Sequence, residues 1–419
     1  MAAPDMYYVS ENGDDADSGA HDAPWATLVH ALDGMSGAGI SHDSANGVQI
    51  NCHGTIIATR SIDIGSEYAG MGAGPTAAAP LILKGWNGAE VTDDLPVAAQ
   101  ITYTGLLVGP AYTNFFEEAM SPASDVMFIG FTFSGGSTSH PGPFITGGSR
   151  WTFLDCVFTL SASPTTGDGA KLITLTDDAK FIGCSFTNIG LSSSSSSHNV
   201  IAIQNRATFY GCHFDFSGQA AAGHADPYSC IKFDNSSTPV GSHYIIDCVF
   251  ECEDSLPLHF NNTGGEQVFA LNSSFISDSG NSTNCIGGGN VASTLFIFSN
   301  LATGWSNALG PNKSAHNCIF GGNSGYNNTT DFPTSGDTWH ETGDSGNDDN
   351  ISLATDPLTA SNIPQSAIEA SGSREGVLSV AYPNYIGSNG ELLASRDRGA
   401  TQKAKLTPNK VTSSVSGIF

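Results

Sequence analysis

The sequence predicts an all-β protein that folds as a single-stranded, right-handed parallel β-helix, a solenoid, with an N-terminal capping helix. Two short strand patterns recur along the chain at nearly the same spacing, which is the size of one solenoid coil. The composition agrees, since Gly contributes 49 of 419 residues and charged residues only 13%, as tight corners between short strands require. A solenoid grows along one axis, so the chain length does not imply several domains.

The first pattern contains a cysteine. The segment "RWTFLDCVFTL" (150–160) recurs as "AKFIGCSFTNI" and "ATFYGCHFDFS", and its cysteine moves by 28 residues each time. Leu154, Cys156 and Phe158 alternate, which predicts one strand with a buried apolar face. The thiol column is our name for the equivalent central positions: Phe131, Cys156, Cys184, Cys212, Cys248, Ser273, Ser299 and Cys318.

The second pattern is a short apolar strand, as in "KLITLTD", "NVIAIQN" and "SCIKFDN". Its central residues are Ile145, Ile173, Ile201, Ile231, Leu258 and Ile286. Because the two patterns share a period, each coil is expected to contribute two or more strands, and each strand lies above its counterpart in a parallel sheet.

The nine cysteines are predicted to be buried thiols. A zinc site would need two CxxC pairs, which the sequence lacks, and a chain of this length buries a large core without disulfides. Free cysteine packs as a small apolar residue, and burial makes its thiol inert. We therefore expect a ladder of thiols inside the solenoid and no metal site.

Three regions are predicted. Residues 1–45 form a strand, a loop and a capping helix, residues 46–330 the parallel β-helix, and residues 331–419 an acidic connection and an extended C-terminal segment with a basic tail. The helix is predicted over "PWATLVHAL" (24–32), with Asp22 as its N-cap. Trp25, Leu28 and Leu32 would then cover the open end of the solenoid.

Both ends of the chain resemble a known family. The order of a strand, "NGDDADSG", "PWATLVHAL" and "VQINCHG" resembles the opening of pectate-lyase-like right-handed parallel β-helix proteins, and "DPLTASNIPQSAIEASGS" with "GSNGELLASRDRGATQ" resembles the closing segment of bacterial extracellular and phage spike members. Glu369 and Arg398 depart from the closing pattern. The matching residues there are Asp356, Pro357, Leu358, Ser366, Ala367, Ile368, Gly399 and Ala400. The resemblance implies the fold and does not select an activity, because this fold carries lyases, hydrolases, epimerases, adhesins and virion spikes.

The charge distribution limits the partners. The formal charge is −26, so nucleic acid is not an expected ligand, and a groove for anionic polysaccharide would lack cations. Residues 396–419 carry +4 and the remainder −30. A basic tail on an acidic body predicts contact with an acidic surface, either of a neighbouring subunit in a homotrimer or of another virion protein; a solvated tail is the alternative.

The start of the chain, "MAAPDMYYVS", lacks the features of a secretory signal, and no apolar run is long enough to span a membrane. We therefore expect a virion or extracellular protein that is released without a signal peptide. No cofactor is expected. Calcium is an alternative for the acidic segment between Asp331 and Asp349, although the spacing of a calcium loop is not met.

One pair of carboxylates stands out as a catalytic candidate. Asp215 and Glu251 each lie three residues after the thiol column, so they are predicted to lie on adjacent coils about 4.8 Å apart, close to the separation of the two carboxyl groups in retaining glycosidases. His213 and Glu253 are expected on the same side. The alternative is an acidic strip with side chains in water.

Two further ladders are predicted. Phe153, Phe181 and Phe209 precede the column by three residues, and strict alternation would expose them as an aromatic ladder for sugar binding, whereas a bend in the coil would bury them. Arg150, Asp178 and Arg206 precede these phenylalanines and are predicted to form an ion ladder.

Three function classes follow. The first is a bacteriophage structural protein, such as a tail spike, fibre or capsid decoration protein, that contacts host-surface polysaccharide and has no enzymatic activity or a weak one. The second is a polysaccharide-degrading hydrolase or lyase, which needs Asp215 and Glu251 in a groove. The third is a secreted adhesin, for which a signal peptide is expected. The sequence favours the first class.

Overall fold

The computed structural model describes residues 4–32, 47–57, 62–63, 75–86, 106–108, 116–117, 124–135, 145–160, 171–187, 199–216, 229–234, 242–252, 255–260, 267–288, 294–298, 300–307, 317–321, 324–329, 339–341 and 351–352. They belong to two compact units, whose division falls within strand β16 (Asn199–Ile203). Every strand pairing between named strands in either unit is parallel. Each coil contributes up to three strands. In chain order they belong to a first, a second and a third sheet.

The first unit contains one helix and fifteen strands in the described ranges. The helix is α1 (Leu28–Leu32). The first sheet has the strand order β1 (Asp5–Ser10), β2 (Val48–His53), β5 (Leu81–Gly85), β8 (Val126–Ile129), β11 (Thr152–Leu154) and β14 (Ala179–Ile182). The second sheet has β3 (Thr55–Ile57), β6 (Leu106–Val108), β9 (Thr132–Gly135), β12 (Val157–Leu160) and β15 (Ser185–Thr187), and the third has β4 (Ile62–Asp63), β7 (Phe116–Glu117), β10 (Ile145–Ser149) and β13 (Lys171–Asp177).

The second unit repeats the arrangement. Its first sheet has β17 (Ala207–Tyr210), β20 (Ser242–Ile246), β23 (Gln267–Leu271), β26 (Thr294–Phe298), β28 (Asn317–Gly321) and β30 (Trp339–Glu341). Its second sheet has β18 (His213–Asp215), β21 (Val249–Cys252), β24 (Ser274–Asn284), β27 (Leu301–Asn307), β29 (Ser324–Tyr326) and β31 (Ile351–Ser352), and its third has β19 (Ser229–Phe233), β22 (Leu256–Phe260) and β25 (Ile286–Gly288).

The register confirms the predicted stacking of the parallel β-helix. Ile145 lies beside Ile173 in the first unit, and Ile231, Leu258 and Ile286 are successive neighbours in the second. The prediction of the first pattern as one strand is wrong, because it contains two strands that meet at a corner. Residues with positive φ make these corners: Gly130, Asp155, Gly183, Gly211, Asp247 and Asn272. Gly, Asp and Asn tolerate this conformation better than other residues, which explains the small or acidic residue before each cysteine.

The thiol column lies at the inner side of this corner. Cys156 and Cys184 are fully buried, as predicted, and they lie at the same corner of adjacent coils, since the Ser185 N–H donates to the Cys156 carbonyl at 2.8 Å. Each thiol also donates to the carbonyl two residues earlier, with Sγ–O distances of 3.4 Å from Cys156 and 3.6 Å from Cys184. The Ser273 hydroxyl donates to the Leu271 carbonyl in the same way, at 3.1 Å, so a hydroxyl can replace the thiol.

Two members of the column were misplaced. Ser274 pairs with Leu301, which puts Asn300 beside Ser273 where Ser299 was predicted. Cys318 pairs with Leu295 in the first sheet and does not lie at the corner.

Aromatic rings stack along the core of each unit. Phe153 lies between Phe128 and Phe181, with ring centroids 5.1 and 4.9 Å apart, and Phe214 stacks on Phe250 in the second unit at 4.7 Å. The corner turns these side chains inwards. A ligand-binding role for Phe153, Phe181 and Phe209 is therefore wrong, because all three are 0% exposed, and the alternative of a bend that buries them is confirmed.

The N-terminal helix is shorter than predicted. It begins after Thr27, whose Oγ1 accepts from the His30 N–H at 3.0 Å, so Thr27 and not Asp22 is the N-cap. Asp15 fixes this turn, since its Oδ1 accepts from the N–H groups of Ala26 and Thr27 at 2.9 Å. Trp25, Leu28 and Leu32 are buried, while the capping role of the helix stays a prediction.

Arg150, a member of the predicted ion ladder, pairs with a residue outside that ladder. Arg150 donates from Nε and Nη2 to the two carboxylate oxygens of Asp125, each at 2.8 Å, so it pairs with the preceding coil. This hydrogen bonding is the main reason why the pKa of Arg150 is raised, and Asp178 contributes as a nearby negative charge. In the described ranges no helix is long and apolar enough to span a membrane.

Candidate functional site

Three of the predicted catalytic residues lie together on the outer face of the second sheet in the second unit. His213 and Asp215 are the first and last residues of β18, and Glu251 lies on β21 directly beside Asp215. Phe214 and Phe250, between them in sequence, point inwards and stack in the core. Strand alternation therefore fixes the polar side chains on the outer face. We call His213, Asp215 and Glu251 the carboxylate cluster.

The contacts in the carboxylate cluster are close. His213 Nε2 lies 3.4 Å from Glu251 Oε2, and the side chains of His213 and Glu251 are 32% and 14% exposed. This is an ion-pair distance, and among the described residues His213 Nε2 makes no hydrogen bond. Glu251 is thus held between a histidine and a second carboxylate while both neighbours remain partly open to solvent. Glu253, the fourth predicted residue, lies outside the described residues.

The arrangement contains the groups that acid–base chemistry requires. Two carboxyl groups on adjacent strands can divide the roles of acid and base, and an imidazole beside one of them can orient it and exchange a proton with it. The alternative of a purely solvated acidic strip does not describe Glu251, because its side chain is mostly buried and contacts His213.

A second polar cluster lies on the outer face of the third sheet, on the same two coils. Lys232 Nζ contacts Asp234 Oδ2 at 3.1 Å, and the two side chains are only 12% and 28% exposed. His259 lies beside Lys232 on the adjacent strand. We call Lys232, Asp234 and His259 the lysine cluster.

The environment of His259 lowers its pKa to about 4, mainly through burial and then through the positive charge of Lys232. The imidazole is therefore neutral near neutral pH. An imidazole whose pKa is strongly lowered, beside a cation and a carboxylate, is typical of functional sites, although structural ion pairs also produce such shifts.

The sequence analysis missed the lysine cluster. The signal was present in "SCIKFDN" and "PLHFNN", where Lys232 and His259 occupy the same place between two inward apolar residues. Because a lysine and a histidine are different residue types, the repeat does not mark them as a pair.

The described residues also bear on the expectation about metal binding. Within them, no group of three or more His, Cys, Asp or Glu side chains is arranged to hold a metal ion. The acidic segment considered for calcium lies outside the described residues, except for Glu341 and its neighbours in β30. The C-terminal tail lies outside them entirely.

No family model and no curated protein matches the chain. Among solved structures, a rhamnogalacturonan lyase is 13% identical, with 96% of this chain and 98% of that chain covered and a TM-score of 0.48. Pectate lyase Pel9A is 11% identical, with 96% of each chain covered and a TM-score of 0.47, and a glycoside hydrolase is 8% identical, with 83% of this chain and 96% of that chain covered and a TM-score of 0.44.

Since these TM-scores lie below 0.5, the fold assignment rests on the parallel sheets and the register of the chain itself. Those sheets are nearly the whole of the described structure. Each of the two units has the parallel β-helix fold that the sequence predicted.

Proposed function

We propose that this chain is a polysaccharide-degrading enzyme whose acid–base groups are those of the carboxylate cluster. One observation supports it most directly: His213 Nε2 lies 3.4 Å from Glu251 Oε2, and Glu251 lies beside Asp215 on the neighbouring strand. This is the enzyme alternative of the sequence analysis, now favoured over a non-enzymatic role.

The proposed roles follow from position. Neighbouring strands are about 4.8 Å apart, close to the roughly 5 to 5.5 Å between the carboxyl groups of a retaining glycosidase. Glu251, whose side chain is 14% exposed and lies beside His213, is assigned as the proton donor to the glycosidic oxygen. Asp215, at the end of β18, is assigned as the group that stabilises the sugar cation or attacks its anomeric carbon. His213 is a positioning residue that holds Glu251.

The location suits a chain-like substrate. The cluster lies on the outer face of a sheet whose strands continue on the coils beyond it, at β24 and β27, so sugar units can extend across neighbouring coils. Binding of several sugar units across these coils favours cleavage within a chain over release of single terminal sugars. The acidic charge of the protein favours neutral over anionic polysaccharides for this cluster.

The test is incubation of the full chain with a panel of soluble neutral and acidic polysaccharides, followed by mass spectrometry of the products. We expect Asp215→Asn and Glu251→Gln each to lower cleavage by about 100-fold or more, because each removes one acid–base group. Thr159→Val is the matched control, since Thr159 occupies the equivalent outer position of β12 and its loss should leave cleavage unchanged.

A second arm separates the two clusters. Lys232→Met and His259→Gln should retain cleavage if the carboxylate cluster is the catalytic site. If these variants lose activity while Glu251→Gln keeps it, catalysis belongs to the third sheet and our assignment is wrong.

The virion interpretation remains a prediction. It depends on the basic tail, which lies outside the described residues, and on the oligomeric state. Binding of polysaccharide without cleavage by the wild-type chain would favour it over the enzyme that we propose.

A further inference from the structure

We propose that Cys230 and Cys252 form an intramolecular disulfide that covalently links two consecutive coils of the second unit. Cys230 is the second residue of β19, and Cys252 is the last residue of β21 on the next coil. Their Sγ atoms are 3.5 Å apart. The inference is independent of the proposed function, because both thiols lie in the core.

These two thiols differ from those of the thiol column. In the column, Cys156, Cys184 and Cys248 donate to the backbone carbonyls of their own corners, and their stacking follows the strand spacing. Cys230 and Cys252 lie instead where the chain passes from the second sheet to the third, on opposite sides of the turn. Their side chains therefore approach each other between two sheets and not along one.

A third buried thiol lies at the same turn one coil further on. Cys285 immediately precedes β25, and its pKa is raised mainly by burial and further by the proximity of Cys252. Three successive coils thus each place one thiol at this turn, with Cys252 in the middle. Cys285 is the competitor of Cys230 for Cys252, and any experiment must distinguish the two pairings.

The bond requires little movement. A disulfide has sulfur atoms about 2.05 Å apart, so the two side chains together must close about 1.5 Å. The oxidant that we name is a low-molecular-weight disulfide such as oxidised glutathione. One cysteine thiolate attacks it and releases one small thiol, and the second cysteine thiolate then attacks the mixed disulfide and releases the other. Two protein thiols become one disulfide, and one small disulfide becomes two small thiols.

Burial determines when this can happen. Cys230 and Cys252 are 0% and 1% exposed, and a thiolate is disfavoured in such surroundings. Exchange is therefore expected while the two coils are still open during folding, and the folded protein then protects the bond from reductants. The bond closes a loop whose ends are 22 residues apart in sequence.

The experiment uses the full chain. Reduced protein is denatured and refolded in a buffer of reduced and oxidised glutathione, free thiols are blocked with iodoacetamide after a second denaturation, and the products are mapped by mass spectrometry. We expect two of the nine cysteines to escape alkylation, and a cross-linked peptide that contains Cys230 and Cys252. Protein made in an oxidising and in a reducing cellular compartment gives the same comparison without refolding.

The variants test the pairing. Cys252→Ser should abolish the cross-link, and Cys184→Ser, a matched loss of a buried thiol elsewhere, should retain it. Folded wild-type protein in which all thiols remain alkylatable under oxidising conditions would overturn the proposal. A Cys252–Cys285 cross-link in the wild-type chain in place of Cys230–Cys252 would overturn it as well.

Discussion

Asn300 joins two coils through both ends of its side-chain amide. Its Oδ1 accepts from the Ser273 N–H and its Nδ2 donates to the Ala270 carbonyl, each at 2.8 Å. Asn328 makes the same two contacts one coil further on, with the Trp305 N–H at 2.7 Å and the Ala302 carbonyl at 2.9 Å. The two residues differ in burial, since Asn300 is 0% exposed and Asn328 is partly exposed.

This difference gives a matched pair of variants. Asn300→Ala leaves a buried N–H and a buried carbonyl without their partner, and we expect it to lower the free energy of unfolding by about 2–4 kcal/mol. Asn328→Ala should cost less, about 1 kcal/mol, because Asn328 is partly exposed and water can enter the space that its side chain leaves. Urea unfolding followed by tryptophan fluorescence measures both. Equal losses would show that burial of the contact is irrelevant.

The corner glycines give a second pair. A Cβ at Gly211 would meet no atom within 4 Å, whereas one at Gly183 would overlap Asp155 Oδ1, and both residues have positive φ. Gly211→Ala should therefore cost about 1–2 kcal/mol for the backbone conformation alone, and Gly183→Ala should cost more. The double variant Asp155→Gly/Gly183→Ala removes the overlap and should return to the cost of Gly211→Ala, as measured by the urea midpoint. A double variant no more stable than Gly183→Ala contradicts the explanation.

The stacked phenylalanines carry much of the core packing. Phe153→Ala removes a ring that stacks on two others and leaves a cavity, so a loss of about 3–5 kcal/mol in the free energy of unfolding is expected. Phe153→Leu keeps most of the volume and should cost about 1–2 kcal/mol. A loss below about 1 kcal/mol for Phe153→Ala, measured by chemical denaturation, would mean that the neighbouring coils collapse into the space.

His259 predicts a pH dependence of stability. Burial, followed by the charge of Lys232, lowers its pKa from an ordinary 6.5 to about 4, so between these values the unfolded chain binds a proton that the folded chain does not. The contribution of His259 to the free energy of unfolding is complete above about pH 6.5. It falls by up to about 2–3 kcal/mol as the pH is lowered to about 4.

The control for this prediction is His259→Gln, which cannot titrate. As the pH falls from 7 to 4, the unfolding free energy of the wild type should fall relative to that of His259→Gln by up to about 2–3 kcal/mol. Parallel curves would show that His259 has an ordinary pKa in the folded chain.

The sequence predicted the stacking of the coils because inward apolar residues repeat in both patterns. It did not reveal the corner, since Asp155 between Leu154 and Cys156 reads as the polar member of an alternating strand, and only its positive φ separates the two strands. Asn300 was missed for a related reason. Its amide takes the place of the thiol or hydroxyl of the column, but it lies one residue after Ser299, the predicted position. The carboxylate pair was predictable from spacing, whereas the contact between His213 and Glu251 depends on rotamers that no repeat encodes.

The loop that follows β1 has a consequence for how molecules of this protein meet. Tyr8 and Ser10 use the backbone groups that face away from β2, since the Tyr8 N–H donates to the Gly19 carbonyl at 2.9 Å, the Tyr8 carbonyl accepts from the Trp25 N–H at 3.0 Å and the Ser10 N–H donates to the Trp25 carbonyl at 2.8 Å. A strand from a second molecule would find these groups occupied. Fibre growth by strand addition at β1 would first have to displace Trp25, whose indole is buried against Tyr7.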